Sequence, residues 1–316
     1  MTHVLVLGAS GMLGSMVTDV LARAPDLAVT ATVRDEGLRA AAQERLPSVE
    51  WLRFDAATWD PRRAPLPGQR PGSWVINCIG ITKPLIRDDH PAEVLRALQI
   101  NSLLPYALAE AVASAGGRMI QIATDCVFSG RRGAYTEADP HDPLDVYGKS
   151  KSLGEPHLPG VHHLRCSIIG PEPKDYKFLL EWFVRQPRGA SVQGYRNHRW
   201  NGVTTLHFAR VCLGVITSGL PLPPLHHLVP GGALTKAEML HVFSEVYGRQ
   251  DIAIREVDAK DVIDRTLATT DPATNAALWA QAGYVTPPTV PEMIRELGRF
   301  DYRLAGMVAV PQPTPS

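Results

Sequence analysis

A glycine-rich turn directly after the first apolar run limits this chain to few folds. Residues 3–7 predict a short buried strand, and helical periodicity follows from residue 12. Between them stands Gly8-Ala9-Ser10-Gly11-Met12-Leu13-Gly14, with a glycine at every third position. Gly8 permits a tight turn, Gly11 lets the backbone approach a pyrophosphate at a helix N-terminus, and Gly14 lets helix and strand pack closely. A turn without a ligand is the alternative, but its position directly after a strand favours a dinucleotide site. The predicted cofactor contacts here are Gly8, Ser10, Gly11, Met12, Leu13 and Gly14.

Strand and helix patterns alternate through the first half of the chain. Strands are predicted at 3–7, 28–33, 49–54, 74–79, 119–123 and 162–169, and helices at 12–23, 36–45, 92–115 and from 147 onward. Pro105 falls inside the third helix, where only a kink or a break tolerates it. This βαβ rhythm predicts an α/β fold, a Rossmann-type doubly wound parallel sheet with helices on both faces.

The regular rhythm weakens beyond about residue 170. Helices are predicted at 175–185, 206–217, 236–247 and 291–300, and short strands at 225–229 and 253–257. We therefore expect a nucleotide-binding domain over residues 1–170 and a smaller α/β lobe, mainly substrate-binding, over residues 171–307. Residues 308–316 contain three prolines and are expected to form a disordered tail.

Charge and cysteine content exclude several classes of protein. The 316 residues carry 32 basic and 32 acidic side chains, which argues against a nucleic-acid partner. The four cysteines, at positions 78, 126, 166 and 212, form no CxxC pair, so we expect neither a zinc site nor any other metal site. We interpret them as reduced thiols of a cytoplasmic protein. No apolar stretch approaches 18 residues and no signal peptide is recognisable, so no membrane association is predicted.

The residue after the second predicted strand bears on the choice of dinucleotide. An acidic side chain there would bind a ribose 2′-hydroxyl, whereas a guanidinium pairs with a 2′-phosphate. The strand ends at Arg34, which favours NADP(H), although Asp35 beside it could turn inward and leave NAD(H) possible. Asp55 follows the third strand and either accepts from the adenine amino group or caps a turn. After the fourth strand, Cys78, Ile79 and Gly80 are expected to contact the cofactor.

One tyrosine and one lysine have the spacing needed for proton transfer. Tyr147 is the only one of eight tyrosines that is followed by a lysine, Lys151, four residues later. On a helix this spacing places both on one face, where an ammonium stabilises tyrosinate and can hold the nicotinamide ribose. Thr124, after the fifth strand, supplies a hydroxyl that can position a substrate carbonyl. We predict that these three are catalytic and that Tyr147 and Lys151 also contact the cofactor.

The same segments resemble a known family. Ala123-Thr124-Asp125-Cys126-Val127-Phe128-Ser129-Gly130 and Tyr147-Gly148-Lys149-Ser150-Lys151 are similar to motifs of extended short-chain dehydrogenases, within them the dTDP-4-dehydrorhamnose reductase family. The resemblance is strong from residue 3 to about 170. It implies hydride transfer from NADPH to C4 of a 4-keto-6-deoxy nucleotide sugar in deoxysugar biosynthesis. It also implies catalytic roles for Thr124, Tyr147 and Lys151, and a homodimer.

Two departures from the family pattern leave the sugar open. Cys126 replaces a common tyrosine, and the strand near Ile168 lacks the tryptophan of rhamnose-forming members. A dTDP-4-keto-rhamnose-like substrate and a UDP-linked N-acetylated 4-keto-6-deoxy sugar are therefore equally plausible. Substrate contacts are expected from cations, amides and an aromatic face in residues 195–202, and from side chains beside the nicotinamide. These candidates are Lys83, Asp125, Cys126, Arg196, Trp200 and Asn201.

Three other activities compete with reduction. A dehydratase of this superfamily has Asp-Glu after the threonine, whereas here Asp125 precedes Cys126, which is a poor acid or base. An epimerase retains NAD and fits Arg34 less well. A non-catalytic NADP-binding regulatory subunit is the third alternative, which the retention of Thr124, Tyr147 and Lys151 disfavours.

Overall fold

A computed structural model describes residues 1–306 of the chain; the predicted tail at 308–316 lies outside the described residues. The strands are β1 Thr2–Leu7, β2 Leu27–Val33, β3 Glu50–Arg53, β4 Trp74–Asn77, β5 Arg118–Ala123, β6 Val161–Arg165, β7 Ile168–Ile169, β8 Ser191–Tyr195, β9 His198–Trp200, β10 Val203–Thr204, β11 Leu225–His227, β12 Leu234–Thr235, β13 Ala253–Val257 and β14 Ile263–Asp264. The helices are α1 Met12–Leu21, α2 Glu36–Arg45, α3 Pro91–Ala97, α4 Leu104–Ser114, α5 Val146–Leu153, α6 Leu179–Val184, α7 Thr205–Ser218, α8 Lys236–Val246, α9 Pro272–Gln281 and α10 Val290–Arg299.

Seven parallel strands form the central sheet in the order β3-β2-β1-β4-β5-β6-β11. β1 and β4 are apolar and largely buried because helices cover both faces of the sheet. The strand order reverses between β1 and β4, which opens a crevice at the carboxyl ends of the central strands. The predicted doubly wound Rossmann-type fold is thus confirmed.

The second half of the chain does not form a separate lobe from residue 171 onward. Helix α7 packs against α1, and β11 extends the main sheet beside β6. The short strand predicted at 225–229 therefore belongs to the central sheet, as β11. Short sheets pair β8 with β13, β7 with β10, and β9 with β12 and β14. These sheets, with α6, α8 and α10, make up the smaller part of the molecule.

Three predicted elements differ from the structure for identifiable reasons. The expected strand at 162–169 divides into β6 and β7. The expected helix at 175–185 begins only at Leu179, because Asp175 and Tyr176 have φ of 69° and 50°. The long third helix consists of α3, a π-helical segment over Leu98–Leu103 and α4, with Pro105 in the first turn of α4. The π-helical segment allows the proline to sit where no helical hydrogen bond from its nitrogen is required.

Candidate active site

A cavity of about 470 Å³ opens at the carboxyl ends of the central strands. It brings together most of the residues that the sequence singled out: Gly8, Ser10, Gly11, Met12, Leu13, Arg34, Asp55, Cys78, Ile79, Gly80, Lys83, Thr124, Asp125, Cys126, Tyr147 and Lys151. Gly14 lies behind the cavity wall, and Arg196, Trp200 and Asn201 are not among the residues that line it.

The glycine turn has the shape of a phosphate cradle. Gly8 has φ of 80°, and a Cβ there would lie 2.9 Å from Cγ1 of Ile79. A Cβ on Gly14 would lie 2.3 Å from the carbonyl oxygen of Gly8, so only glycine permits this approach of α1 to the turn. Gly11 precedes α1 with no side-chain cap, which leaves the helix N-terminus open toward the cavity. These features fit a dinucleotide with its pyrophosphate at the start of α1.

The end of β2 presents a cation and no carboxylate. Arg34 lines the cavity, whereas the Asp35 side chain accepts from the backbone N–H of Leu38 at 3.0 Å and caps α2. Asp35 therefore turns toward α2, as a helix-capping residue does. Asp55 lines the cavity and caps a turn through the N–H of Ala57 at 3.0 Å, so its two predicted roles are compatible.

The threonine, tyrosine and lysine meet at the opposite side of the same cavity. Thr124 directly follows β5, and Tyr147 and Lys151 lie one turn apart on α5. The Lys151 ammonium is 6% exposed and donates to the carbonyl oxygen of Ile122 at 3.0 Å. The Tyr147 phenol and the Thr124 hydroxyl both line this part of the cavity, close enough for the hydroxyl to influence the phenol. A hydroxyl, a phenol and an ammonium are thus arranged around one space that also contains the glycine turn.

Burial controls protonation in this group. It raises the pKa of Tyr147 well above its ordinary value, an effect that the nearby Thr124 hydroxyl only partly offsets. Burial also lowers the pKa of Lys151 to about 8, against the opposing influence of Glu155. At neutral pH the phenol therefore carries its proton and the lysine its charge, the states that a proton-donating tyrosine requires.

Asn101, which the sequence analysis did not select, connects the cavity wall to α5. Its side-chain oxygen accepts from the N–H of Ile81, and its amide donates to the carbonyl of Ile81, both at 2.8 Å. The same amide donates to the hydroxyl of Ser150 at 3.1 Å. Asn101 belongs to the π-helical segment, a feature often found at functional sites. The only sequence signal was Pro105, which marked an irregular helix without indicating its consequence.

Polar side chains surround the carboxylate of Asp125. Burial raises the pKa of Asp125, and the positive charges of Arg265 and Lys236 oppose this rise. Lys236 begins α8 and its ammonium lies 5.5 Å from the centre of the Trp200 ring. Lys83 lines the cavity and pairs with Asp145 at 2.7 Å. Neither Lys236 nor Arg265 carried a recognisable motif, because both reach this region only through the fold.

The residues predicted from 195–202 do not line the cavity, although Trp200 bonds Ser167, which does. Arg196 forms an exposed ion pair with Asp258 at 3.0 Å. The Trp200 indole N–H donates to the hydroxyl of Ser167 at 2.8 Å. The Asn201 side chain bonds the backbone of Leu267 in both directions, at 2.7 and 2.8 Å. None of the three lines the cavity itself, and their role in substrate binding stays a prediction.

Residues 1–306 contain neither a candidate membrane-spanning helix nor a candidate metal-binding cluster. No helix there has the length and apolarity to cross a bilayer. No three side chains of histidine, cysteine, aspartate or glutamate in that range are grouped as metal ligands.

Comparison with solved structures identifies the same fold. A dTDP-4-dehydrorhamnose reductase from Bacillus anthracis in complex with NADP superposes with a TM-score of 0.67 at 19% identity, covering 94% of this chain and 99% of that one. A UDP-glucuronic acid 4-epimerase from Bacillus cereus in complex with NAD gives 0.71 at 15% identity, covering 98% and 99%. At these identities the likeness establishes the fold alone.

Sequence comparison identifies the family of this chain. The dTDP-4-dehydrorhamnose reductase of Streptomyces griseus is 33% identical over 159 residues, 48% of this chain and 43% of that protein. Methionine adenosyltransferase 2 subunit beta of Danio rerio is 35% identical over 184 residues, 55% of each. The chain thus spans about half the length of the curated relatives it matches. The family described as RmlD substrate binding domain matches residues 1–169, more than half of the chain. The chain therefore belongs to this family, the dTDP-4-dehydrorhamnose reductase family of extended short-chain dehydrogenases.

Proposed function

We propose that this protein is an NADPH-dependent reductase of the 4-keto group of a nucleotide-linked 6-deoxy sugar. The observation that carries the proposal is the shared cavity: Thr124, Tyr147 and Lys151 face the space that the glycine turn also lines. Reduction of a ketone needs a bound hydride donor, a proton donor and a group that orients the carbonyl. One cavity supplies a place for each.

The cofactor assignment follows from the residues at the two ends of the nucleotide half of the cavity. The turn from Gly8 to Gly14 would hold the pyrophosphate, and Arg34 would pair with a 2′-phosphate. Asp55 would meet the adenine, while Cys78, Ile79 and Gly80 would line the nicotinamide side. The relative from Bacillus anthracis was solved with NADP, which agrees with this choice. When bound, NADPH supplies the hydride that reduces the keto carbon.

The side chains on α5 and after β5 would handle the proton. Tyr147 would donate its phenolic proton to the oxygen of the reduced carbonyl, and Thr124 would orient that oxygen beforehand. The Lys151 ammonium would then stabilise the tyrosinate that remains, an electrostatic contribution strengthened by burial. Positioned proton donors of this kind contribute roughly 10²–10⁴-fold to a rate.

The nature of the substrate is supported by the family and by the charges at its end of the cavity. The reductase relatives are named for dTDP-4-dehydrorhamnose. Asp125 and Cys126 lie where the sugar would bind, and Lys236 and Arg265 lie close enough to influence Asp125. Cations near a sugar pocket suit a nucleotide diphosphate. Cys126 in place of the common tyrosine leaves both the dTDP- and UDP-linked substrates in the proposal.

A panel of nucleotide sugars tests the function directly. The protein would be mixed with NADPH and dTDP- or UDP-linked 4-keto-6-deoxy sugars, and the nicotinamide absorbance followed. We expect one mole of NADPH to be oxidised per mole of sugar reduced. Interconversion of sugars without net cofactor change would instead indicate an epimerase. The matched control is Tyr147→Phe, which retains the fold and removes the proton donor.

A binding subunit is the second candidate, and one observation favours it. The similarity to methionine adenosyltransferase 2 subunit beta covers more of this chain than the similarity to the reductase of Streptomyces griseus. Such a role predicts NADPH binding with every keto sugar in the panel left unchanged. Dehydration fits less well, because burial raises the pKa of Cys126 to about 12 and keeps this thiol protonated. A thiol in that state is a poor general base.

A further inference from the structure

The segment that joins β7 to α6 lies against the nucleotide end of the cavity. It contributes Glu172, Lys174 and Asp175 to the cavity wall, although it lies more than 130 residues after Arg34 in the chain. The proposed function gives this segment no role. Its geometry and charge, however, are those of a ligand-binding element.

Several contacts hold this segment in one conformation. The buried carboxylate of Glu172 accepts from the backbone N–H groups of Lys177 at 3.0 Å and Phe178 at 2.6 Å. The guanidinium of Arg185 covers the Tyr176 ring at 3.4 Å from its centre. These contacts close a short loop whose two ends are anchored to α6 and β7.

The loop also stores backbone strain beside Lys174. Asp175 and Tyr176 have φ of 69° and 50°, in the left-handed region that side chains other than glycine rarely adopt. Left-handed backbone at two successive residues with side chains is energetically unfavourable. Conformations of this kind persist where the surrounding contacts impose them, and they cluster at ligand-binding loops. Here they keep the half-buried Lys174 side chain at the cavity wall.

Lys174 and Arg34 line the same cavity, close enough for the charge of Arg34 to act on Lys174. Within residues 1–306, no carboxylate oxygen lies within 4.0 Å of a charged nitrogen of either side chain. Asp35, the nearest acidic residue in sequence to Arg34, is used as the cap of α2. Burial lowers the pKa of Lys174 and the positive charge of Arg34 lowers it further, which the carboxylates of Asp175 and Asp35 oppose without reversing. Two cations that repel one another at a cavity wall are unfavourable until an anion binds between them.

We propose that Lys174 and Arg34 together bind the 2′-phosphate of the cofactor, so that selectivity for NADP(H) over NAD(H) depends on a residue of the segment between β7 and α6. The inference rests on the proposed function for the identity of the cofactor. It adds a specificity-determining residue that no motif in the nucleotide-binding half contains.

The position and the charge both favour a 2′-phosphate over the other anions of the cofactor. The pyrophosphate has its own site at the glycine turn, near the end of β1, whereas Arg34 follows β2. In this fold the end of β2 is where the adenosine ribose binds. A 2′-hydroxyl there brings no charge to either cation, while a dianionic phosphate compensates two.

Equilibrium binding of cofactor fragments tests the inference without catalysis. The full-length protein would be titrated with 2′,5′-ADP and with 5′-AMP by calorimetry, as wild type, Lys174→Met, Lys174→Arg and Arg34→Met. The control is Lys260→Met, which removes the same charge from an exposed lysine that does not line the cavity. We expect Lys174→Met to weaken 2′,5′-ADP about tenfold and 5′-AMP less than twofold, which is the loss of one charge-assisted contact. Lys174→Arg should retain most of the preference, and the control should match wild type.

The outcomes separate the inference from the function on which it rests. An unchanged ratio of 2′,5′-ADP to 5′-AMP affinity in Lys174→Met would overturn the role of Lys174. The same fold-loss of 2′,5′-ADP affinity in Lys260→Met would overturn it too, because it would indicate a general effect of the protein's net charge. If Lys174→Met does not fold, Lys174→Arg provides the test. A folded Lys174→Arg that no longer binds 2′,5′-ADP more tightly than 5′-AMP would overturn the inference. A protein that retains the preference but oxidises no NADPH with any keto sugar would refute the reductase proposal and leave the phosphate site standing.

Discussion

The ammonium nitrogen of Lys151 lies 3.0 Å from the carbonyl oxygen of Ile122 and donates a hydrogen bond to it. Ile122 is the second-last residue of β5, and Thr124 follows that strand directly. The bond therefore ties α5, which carries Tyr147, to the strand end that carries the threonine. This contact between helix and sheet is one of those that position the three proposed catalytic groups relative to one another.

The charge of Lys151 leads to a pH prediction. Its pKa is lowered to about 8, so the ammonium is present below that pH and is lost as the pH rises through it. We expect kcat/KM for keto-sugar reduction to fall above pH 8, because an uncharged amine no longer stabilises tyrosinate. Arginine stays charged above pH 8, so any activity that remains in Lys151→Arg should not show this fall in kcat/KM at alkaline pH. If the pH profiles of kcat/KM for the two proteins were superimposable, Lys151 would not be the group that causes the fall.

The hydroxyl of Tyr147 should matter for turnover and little for cofactor affinity. In Tyr147→Phe we expect kcat to fall by roughly 10²–10⁴-fold, the contribution of a positioned proton donor. The Kd for NADPH, measured by fluorescence titration, should stay within about twofold because the ring remains. Tyr106→Phe, at an exposed tyrosine on α4, is the matched control. Full activity in Tyr147→Phe would remove this residue from the mechanism.

Two glycines of the turn should respond differently to alanine. A Cβ at position 14 would lie 2.3 Å from the backbone oxygen of Gly8, which cannot move aside as a side chain can. The clash should outweigh the better helix propensity of alanine, so Gly14→Ala should lower the free energy of unfolding by about 1–3 kcal/mol. A Cβ on Gly11 would lie 3.4 Å from that oxygen, an ordinary contact.

Gly11→Ala should therefore keep its stability within about 0.5 kcal/mol, since it lies outside the helix interior. Its methyl group would instead obstruct the pyrophosphate, and NADPH affinity should fall about tenfold or more. Urea unfolding and NADPH titration of both variants provide the two measurements. Equal stability losses would contradict the proposed division of roles between the two positions.

The ion pair of Arg165 and Glu155 behind α5 should be important for stability. Arg165 is fully buried and also bonds His141 and His227, at 2.9 and 3.0 Å. Arg165→Met would leave the Glu155 carboxylate buried and unpaired, and we expect a loss of about 3–5 kcal/mol in urea unfolding. Arg295→Met, which breaks the exposed pair with Glu245, should cost under about 1 kcal/mol.

The same pair predicts how that loss depends on pH. Burial alone would raise the pKa of Glu155, but Arg165 brings it below the ordinary value of 4.5. The stabilisation by the pair is therefore complete above pH 4.5 and is lost as the pH falls through the lower folded-state pKa. The stability difference between wild type and Arg165→Met should shrink in acid. A difference that stays constant with pH would argue against an ionised Glu155.

Patterns that depend on a few neighbouring residues were predicted well. The exposed helix at 36–45 and the strand at 253–257 have their predicted bounds, and the turn from Gly8 to Gly14 joins a strand to a helix. Spacing of four residues placed Tyr147 and Lys151 together because helix geometry is local. The doubly wound fold followed from the alternation of such elements.

Contacts between distant segments were beyond the reach of the same reasoning. The region 195–202 looked like a ligand site by composition, yet Asn201 bonds the backbone of Leu267 and Arg196 pairs with Asp258. β11 joined the main sheet, although its sequence indicated only a short strand with no stated partner. Which partner satisfies a polar side chain depends on what the fold brings near it.

The sequence by itself determined the nucleotide turn, the paired tyrosine and lysine and the parallel sheet, since periodicity and spacing act over a few residues. The tertiary structure alone decided that Asn101 braces Ile81, that Asp35 turns away from the cavity, and that Lys174 faces it. The physical reason is that burial and charge pairing depend on distance in space. Along the chain, 140 residues separate Arg34 from Lys174, and only folding brings both to one cavity wall.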